Sequence, residues 1–149
     1  MRTIAATAAA VLSLAGAAAA ETVRVSSAHP VEETVTRLTE AAEEAGANVF
    51  ARVPHSAGAE SIGEELAPMT LVIFGNPRVG TPALQADPLA GLVLPLRVLV
   101  YEDDAGAVWL AYEDPAEMLT RYDIPADHPV IGRIEDALEG LTGAAAGGG

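Results

Sequence analysis

The spacing of apolar and polar positions along the chain switches between two periods. Residues 22–27 (TVRVSS) alternate in twos and predict a strand, with Val23 and Val25 on one face and Arg24 and Ser26 on the other. Val31, Val35, Leu38, Ala42 and Ala45 then recur at steps of four and three, which is one stripe of a helix. Pro30 suits its first position, Glu32 and Glu33 favour the positive end of its dipole, and Gly46 suits its stop. The pattern therefore predicts a helix over residues 30–45.

Period two returns in residues 47–53 (ANVFARV), with Val49, Ala51 and Val53 on one face and Phe50 and Arg52 on the other. Residues 54–67 carry Pro54, Gly58 and Gly63 and read as a loop with one short helical turn. Residues 69–75 (MTLVIFG) predict a buried third strand. The connection over 75–88 has room for one short helix near 81–86. Residues 92–101 (LVLPLRVLVY) predict a fourth strand, in which Pro95 argues for an edge position or a bulge. EDDAG at 102–106 is a turn and AVWLAYE at 107–113 a fifth strand, so the last two strands form a hairpin. Residues 115–122 and 128–140 read as helices, with Pro125 and Pro129 breaking between them. The tail over 142–149 (TGAAAGGG) is low in complexity and reads as disordered. The order β-α-β-β-β-β-α predicts an α+β fold: an antiparallel sheet with helices on one face.

Composition adds a leader to this picture. Arg2, the short apolar stretch from Ile4 to Ala15, and Ala18-Ala19-Ala20 follow the order of a secretory signal, with a cut expected before Glu21. That stretch is too short for a stable membrane span. The organisation expected is thus a signal peptide over 1–20, one domain over 21–141 and the tail, with the mature chain periplasmic or secreted. The chain has no cysteine, which excludes disulfides, thiolate catalysis and cysteine-bound metals.

All basic residues are arginine, and the net charge is -13 at pH 7. Loss of residues 1–20 removes Arg2 and no acid, giving -14. Such a field repels nucleic acid and anionic lipid, so neither is expected as a partner. Solubility accounts for the acidity more simply than an acidic binding role does.

Three phrases carry a family resemblance: VFARVPHSAGAE, FGNPRVGTPALQADP and LPLRVLVYEDDAGAVWLAY. Over roughly residues 22–123 the chain resembles the family called domain of unknown function 302. The resemblance implies a β-α-β(4)-α fold, similar in class to TATA-box-binding-protein-like sheets. It implies no activity, and likeness to a DNA binder carries no function across. The family often has an acidic residue before the histidine matching His55. Here Pro54 stands there, which puts any Asp–His role in doubt.

Among residues that could carry chemistry, Arg97 stands out in the middle of an apolar strand. Alternation groups it with Val93, Leu99 and Tyr101, leaving Leu94, Leu96, Val98 and Val100 for the helices. If the turn pairs Glu102 with Ala107, Arg97 lies opposite Tyr112, and Trp109 joins the core; a slip of one residue would undo this. The same parity sends Arg24 and Arg52 to the open face. Three guanidinium groups beside Tyr101 and Tyr112 would suit a carboxylate, phosphate or sulfate. The competing reading is that each arginine pairs with a nearby acid or covers apolar surface with its stem. A dimer interface on the open face is a further alternative.

The loop with Gly75, Asn76 and Gly80 could offer backbone N–H groups to an anion, but turn chemistry explains it as well. His29, His55 and His128 are not spaced as metal ligands, no His/Met cluster joins Met69 or Met118, and no metal or cofactor is expected. His55 is the best proton-handling candidate, G-x-S-x-G is absent, and the adjacent acids read as solvated faces. The expected function is a non-catalytic exported module holding a small anionic ligand or a partner protein on the open face. The alternatives are an enzyme using His55 and Arg97, and a structural or dimerising protein.

Overall fold

In a computed structural model, which describes residues 21–148, the chain forms a five-stranded antiparallel sheet with helices. The expected leader lies outside the described residues. In chain order the elements are β1 (Thr22–Ser27), α1 (Val31–Glu44), β2 (Asn48–Pro54), α2 (His55–Glu60), β3 (Met69–Gly75) and α3 (Pro77–Ala86). A 3-10 turn (Pro88–Leu92), β4 (Leu96–Glu102), β5 (Val108–Glu113), α4 (Pro115–Leu119) and α5 (Pro129–Ala146) follow. The sheet order is β1-β5-β4-β3-β2. The last four strands meander across the sheet, and β5 closes onto β1. Helix α1 carries the chain from one edge strand to the other.

The alternation read for β4 holds: Leu96, Val98 and Val100 are buried against Val35 and Leu38 of α1 and Ile134 and Leu138 of α5. Val72 and Phe74 of β3 join this core, and so do Val108 and Leu110 of β5, the face opposite to the one expected from the hairpin. Thr34 and Thr39, which an apolar stripe does not mark, are buried with it. Their hydroxyls donate to the carbonyls of Pro30 (3.0 Å) and Val35 (2.7 Å), so burial leaves no unsatisfied group. Gly46 takes the left-handed conformation just past α1 at φ 79°, as the stop signal required.

Three local expectations change. Pro95 does not mark an edge: it precedes β4, which lies mid-sheet, and Val93 is buried beneath the sheet rather than on its open face. Helix α3 begins at Pro77, earlier than expected, because the Asn76 side chain caps it by accepting from the Arg78 N–H (3.0 Å). The short helical turn expected within the 54–67 loop is present at residues 55–60. The chain past residue 140 is not a loose tail. Helix α5 runs to Ala146, with Leu141, Thr142, Ala145 and Ala146 buried, so packing overrides the low propensity of its glycines.

The end of α5 is fixed from two sides. The Ala146 carbonyl accepts from the Ala28 N–H (3.0 Å), and Gly147 closes the helix at φ 81°. A Cβ at Gly147 would lie 2.6 Å from His29 Nε2. Gly147→Ala should therefore lower the unfolding free energy by roughly 1–2 kcal/mol in urea titration, from the left-handed backbone and the displaced imidazole. A variant as stable as the parent would mean that the end of α5 does not bear on the fold.

Candidate functional site

The hairpin between β4 and β5 decides what lies on the open face. Asp103 organises its loop. Its Oδ1 accepts from Ala105 N–H (3.0 Å) and Ala107 N–H (2.9 Å), and its Oδ2 accepts from Trp109 Nε1 (2.8 Å). Gly106 donates to the Asp103 carbonyl (2.8 Å) and takes φ 78°, which makes a three-residue turn ending in a left-handed residue. The ladder then pairs Glu102 with Val108 and Tyr101 with Trp109. That is one residue away from the expected Glu102–Ala107 pairing, so the faces of β5 are exchanged.

Trp109 consequently joins Tyr101 on the open face. Arg24 from β1 completes the group, with its guanidinium carbon 4.2 Å from the Trp109 ring centroid and 5.6 Å from that of Tyr101. Such stacking at an exposed position is worth about 0.5–1 kcal/mol. Tyr112, expected beside Arg97 on the open face, instead turns toward the helices and packs against the core. Burial is the main cause that pushes its hydroxyl above the ordinary tyrosine pKa, with a smaller opposing hydrogen bond to Thr142.

Arg52 is likewise displaced. A bulge between Val49 and Ala51 makes Phe50 the extra residue and puts Arg52 opposite Val72, on the helix side. His55 opens α2 and is exposed. It continues the line of Pro54, which pairs with Thr70, and so lies level with Tyr101 two strands away. Strand spacing and rise then separate His55 from Arg97 by roughly 16 Å between Cα atoms, far beyond joint action on one small group. Asn76 is a helix cap at the opposite end of β3 from His55. Of the seven candidates, the open face brings together Arg24 and Tyr101, with Arg97 further along it.

Arg97 stands at the mouth of a slot through the sheet. The β4–β5 ladder ends at Leu99 and Ala111, while β4 stays paired to β3 as far as Leu96 and β5 to β1 as far as Glu113. The two halves of the sheet part there. A cavity of about 400 Å³ opens between them, walled by Leu71, Val93, Leu96, Leu99, Met118 and Leu138, with Thr22, Arg97, Tyr112 and Glu113 as polar groups.

The main chain also faces this opening. Asp103 N–H bonds across to Ala107, and Asp114 N–H bonds away to Glu21. Alternation from those two bonds turns the main-chain groups of Arg97 and Glu113 toward each other, beyond the last ladder pair. Groups so placed need partners from solvent or a ligand.

Glu113 lies between two arginines. Arg121 Nη2 reaches its Oε1 at 3.0 Å, while Arg97 Nη2 lies 3.5 Å from Oε2, long for a charge-assisted bond. Arg97 is therefore lightly held and 43% exposed. Periodicity had singled it out, but Glu113 and Arg121 carried no signal, because their partnership spans β5 and the turn after α4.

Comparison with known proteins agrees with this architecture. The model of the family described as domain of unknown function DUF302 matches residues 22–142, and the chain belongs to that family. A crystal structure of an uncharacterized conserved DUF302 protein from Bacillus stearothermophilus superposes with a TM-score of 0.67 at 21% identity, covering 84% of this chain and 94% of that one. At that identity the likeness concerns the fold. Three Brucella proteins are 46% identical over 102 residues, or 68% of this chain. They are named fluoride-specific ion channel FluC 1 in Brucella suis and Brucella abortus, and FluC 2 in Brucella melitensis. The matched segment spans 40% of the first and 38% of the others. Among the described residues of this chain, no helix is long and apolar enough to cross a membrane.

The single tryptophan reports on the turn. The Trp109 and backbone hydrogen bonds, in that order, hold the Asp103 carboxyl below its ordinary pKa of 3.8. A carboxyl lowered by folding stabilises the native state above its unfolded pKa and loses that contribution as pH falls through the folded value. Trp109 fluorescence should therefore shift in a step centred below pH 3.8, and Asp103→Asn should remove the step. A step retained in Asp103→Asn would disprove the assignment.

Proposed function

We propose that this DUF302 protein is a non-catalytic binding module that holds a small amphipathic carboxylate in the slot between β4 and β5. The observation that carries the reading is the lightly engaged Arg97 guanidinium at the mouth of an apolar cavity of about 400 Å³. A carboxylate on the ligand would take Arg97, leaving Glu113 to Arg121, and the apolar body would lie against Leu71, Leu99 and Met118. The volume falls within the range of small-molecule sites. The main-chain groups of Arg97 and Glu113, which face each other beyond the last ladder pair, add hydrogen-bonding capacity at the opening.

The proposal includes export, with residues 1–20 as a cleaved leader and the mature module periplasmic or secreted. It is supported by the order of Arg2, the apolar stretch and the alanine triplet. The channel name borne by the Brucella relatives belongs to proteins of which this segment is about two fifths, and it is not carried over.

Titration of the full chain with benzoate and hexanoate at low ionic strength, read by melting temperature and NMR shifts, tests the slot. Binding should raise the melting temperature, and Arg97→Gln should weaken binding by about 10- to 100-fold, the loss of one hydrogen bond to a charged group. Glu113→Gln should tighten it severalfold by removing a like charge. No response in the parent protein, or equal affinity in Arg97→Gln, would reject the reading.

A second copy seated on the open face is the competing reading, supported by the half-buried apolar row Leu71, Ile73 and Leu99. Light scattering that gives a monomer mass at high concentration would remove it.

A further inference from the structure

A second cavity, separate from the slot, lies where the end of β3 meets α3 and α5. It measures about 430 Å³. Phe50, Leu84, Leu94, Pro95, Ile134 and Leu141 form its main apolar walls. None of its lining residues is charged, in a chain with 21 acids and 8 arginines. Its side-chain polar groups are Asn76 and Thr81. The Asn76 Oδ1 is already engaged by the Arg78 N–H, which leaves its Nδ2 donor for a guest.

Three glycines of the lining keep the space open. A Cβ at Gly80 would come to 3.9 Å from Leu94 Cδ1, and one at Gly91 to 3.6 Å from Leu84 Cδ2, so both point at cavity walls without clashing. At Gly75 a Cβ would lie 3.2 Å from Pro95 Cβ and 3.6 Å from Phe50 Cε2. The bulge in β2 leaves Phe50 at the rim, where it is 61% exposed, and Leu84 beside it is 40% exposed. Large apolar side chains left in water around an uncharged recess would gain from an apolar guest.

We propose that this cavity is a binding site for a neutral, largely apolar small molecule carrying at most one hydrogen-bonding group, received at Asn76 or Thr81. Charged ligands are disfavoured because the lining offers no counter-ion and burying an unpaired charge is costly. The size sets the class: the cavity falls in the range of sites for drug-sized molecules, larger than a single methyl-sized packing defect. The inference does not depend on the carboxylate slot, which shares only Leu96 with this lining and has a guanidinium at its mouth.

N-phenyl-1-naphthylamine, a neutral fluorophore that brightens on leaving water, tests the site with the full chain. The parent protein should give saturable enhancement at one site. Gly80→Leu, which fills the cavity from α3, should raise the dissociation constant at least tenfold. Ala137→Phe does the same from a half-exposed position on α5, so folding of either variant suffices for the test. Arg97→Gln should leave the affinity unchanged, which separates this site from the slot. No saturable enhancement in the parent, unchanged affinity in a folded plugged variant, or equal loss in Arg97→Gln would overturn the proposal.

Discussion

The Asp103 carboxylate fixes the register of the central hairpin, and the character of both sheet faces follows from it. One side chain accepts from two loop N–H groups and the Trp109 indole, and Gly106 supplies the left-handed residue that completes the turn. Because strand side chains alternate, a shift of one residue would exchange every position of β5 between core and open face. With the observed pairing, Val108 and Leu110 enter the core, and Trp109 meets Tyr101 and Arg24 outside it. A glutamate rather than a tyrosine then falls beside Arg97.

The slot is a consequence of the same sheet being held at its margins. β5 is tied to β1 along its whole length and β4 to β3, yet β4 and β5 remain joined only over the half nearest their turn. Val93, Met118 and Leu138 floor the gap from the helix layer, so the opening is apolar below and charged above. That gradient favours an amphipathic guest over a simple anion. Stacking of Arg24 on aromatic rings and pairing of Arg121 with Glu113 show that most cations on this face are already engaged, as an acidic chain would predict. Arg97 is the exception because its acid is shared.

Two cavities of different chemistry thus occupy one small domain. The slot presents a guanidinium and main-chain groups, whereas the recess between α3 and α5 presents carbon and an amide. Both depend on α5, whose Leu138 contributes to one and whose Ile134 and Leu141 contribute to the other. Docking of its last turn against Ala28 and His29 therefore bears on both sites.

Sequence alone determined the element order, the helix layer, the alternation in β1 and β4, the open-face position of Arg24 and Arg97, and the family. These rest on local period and on long ordered phrases such as GNPRVGTP, which need no knowledge of distant partners. Parity in β2 and β5 was decided only in the fold. A bulge at Phe50 and a turn one residue longer than assumed each invert a face, and neither leaves a mark on hydrophobic spacing. The folded end of α5, the meeting of Glu113 with Arg121, and both cavities belong to the same class. They arise from packing between segments far apart in the chain, where burial outweighs local propensity and no periodicity records the neighbour.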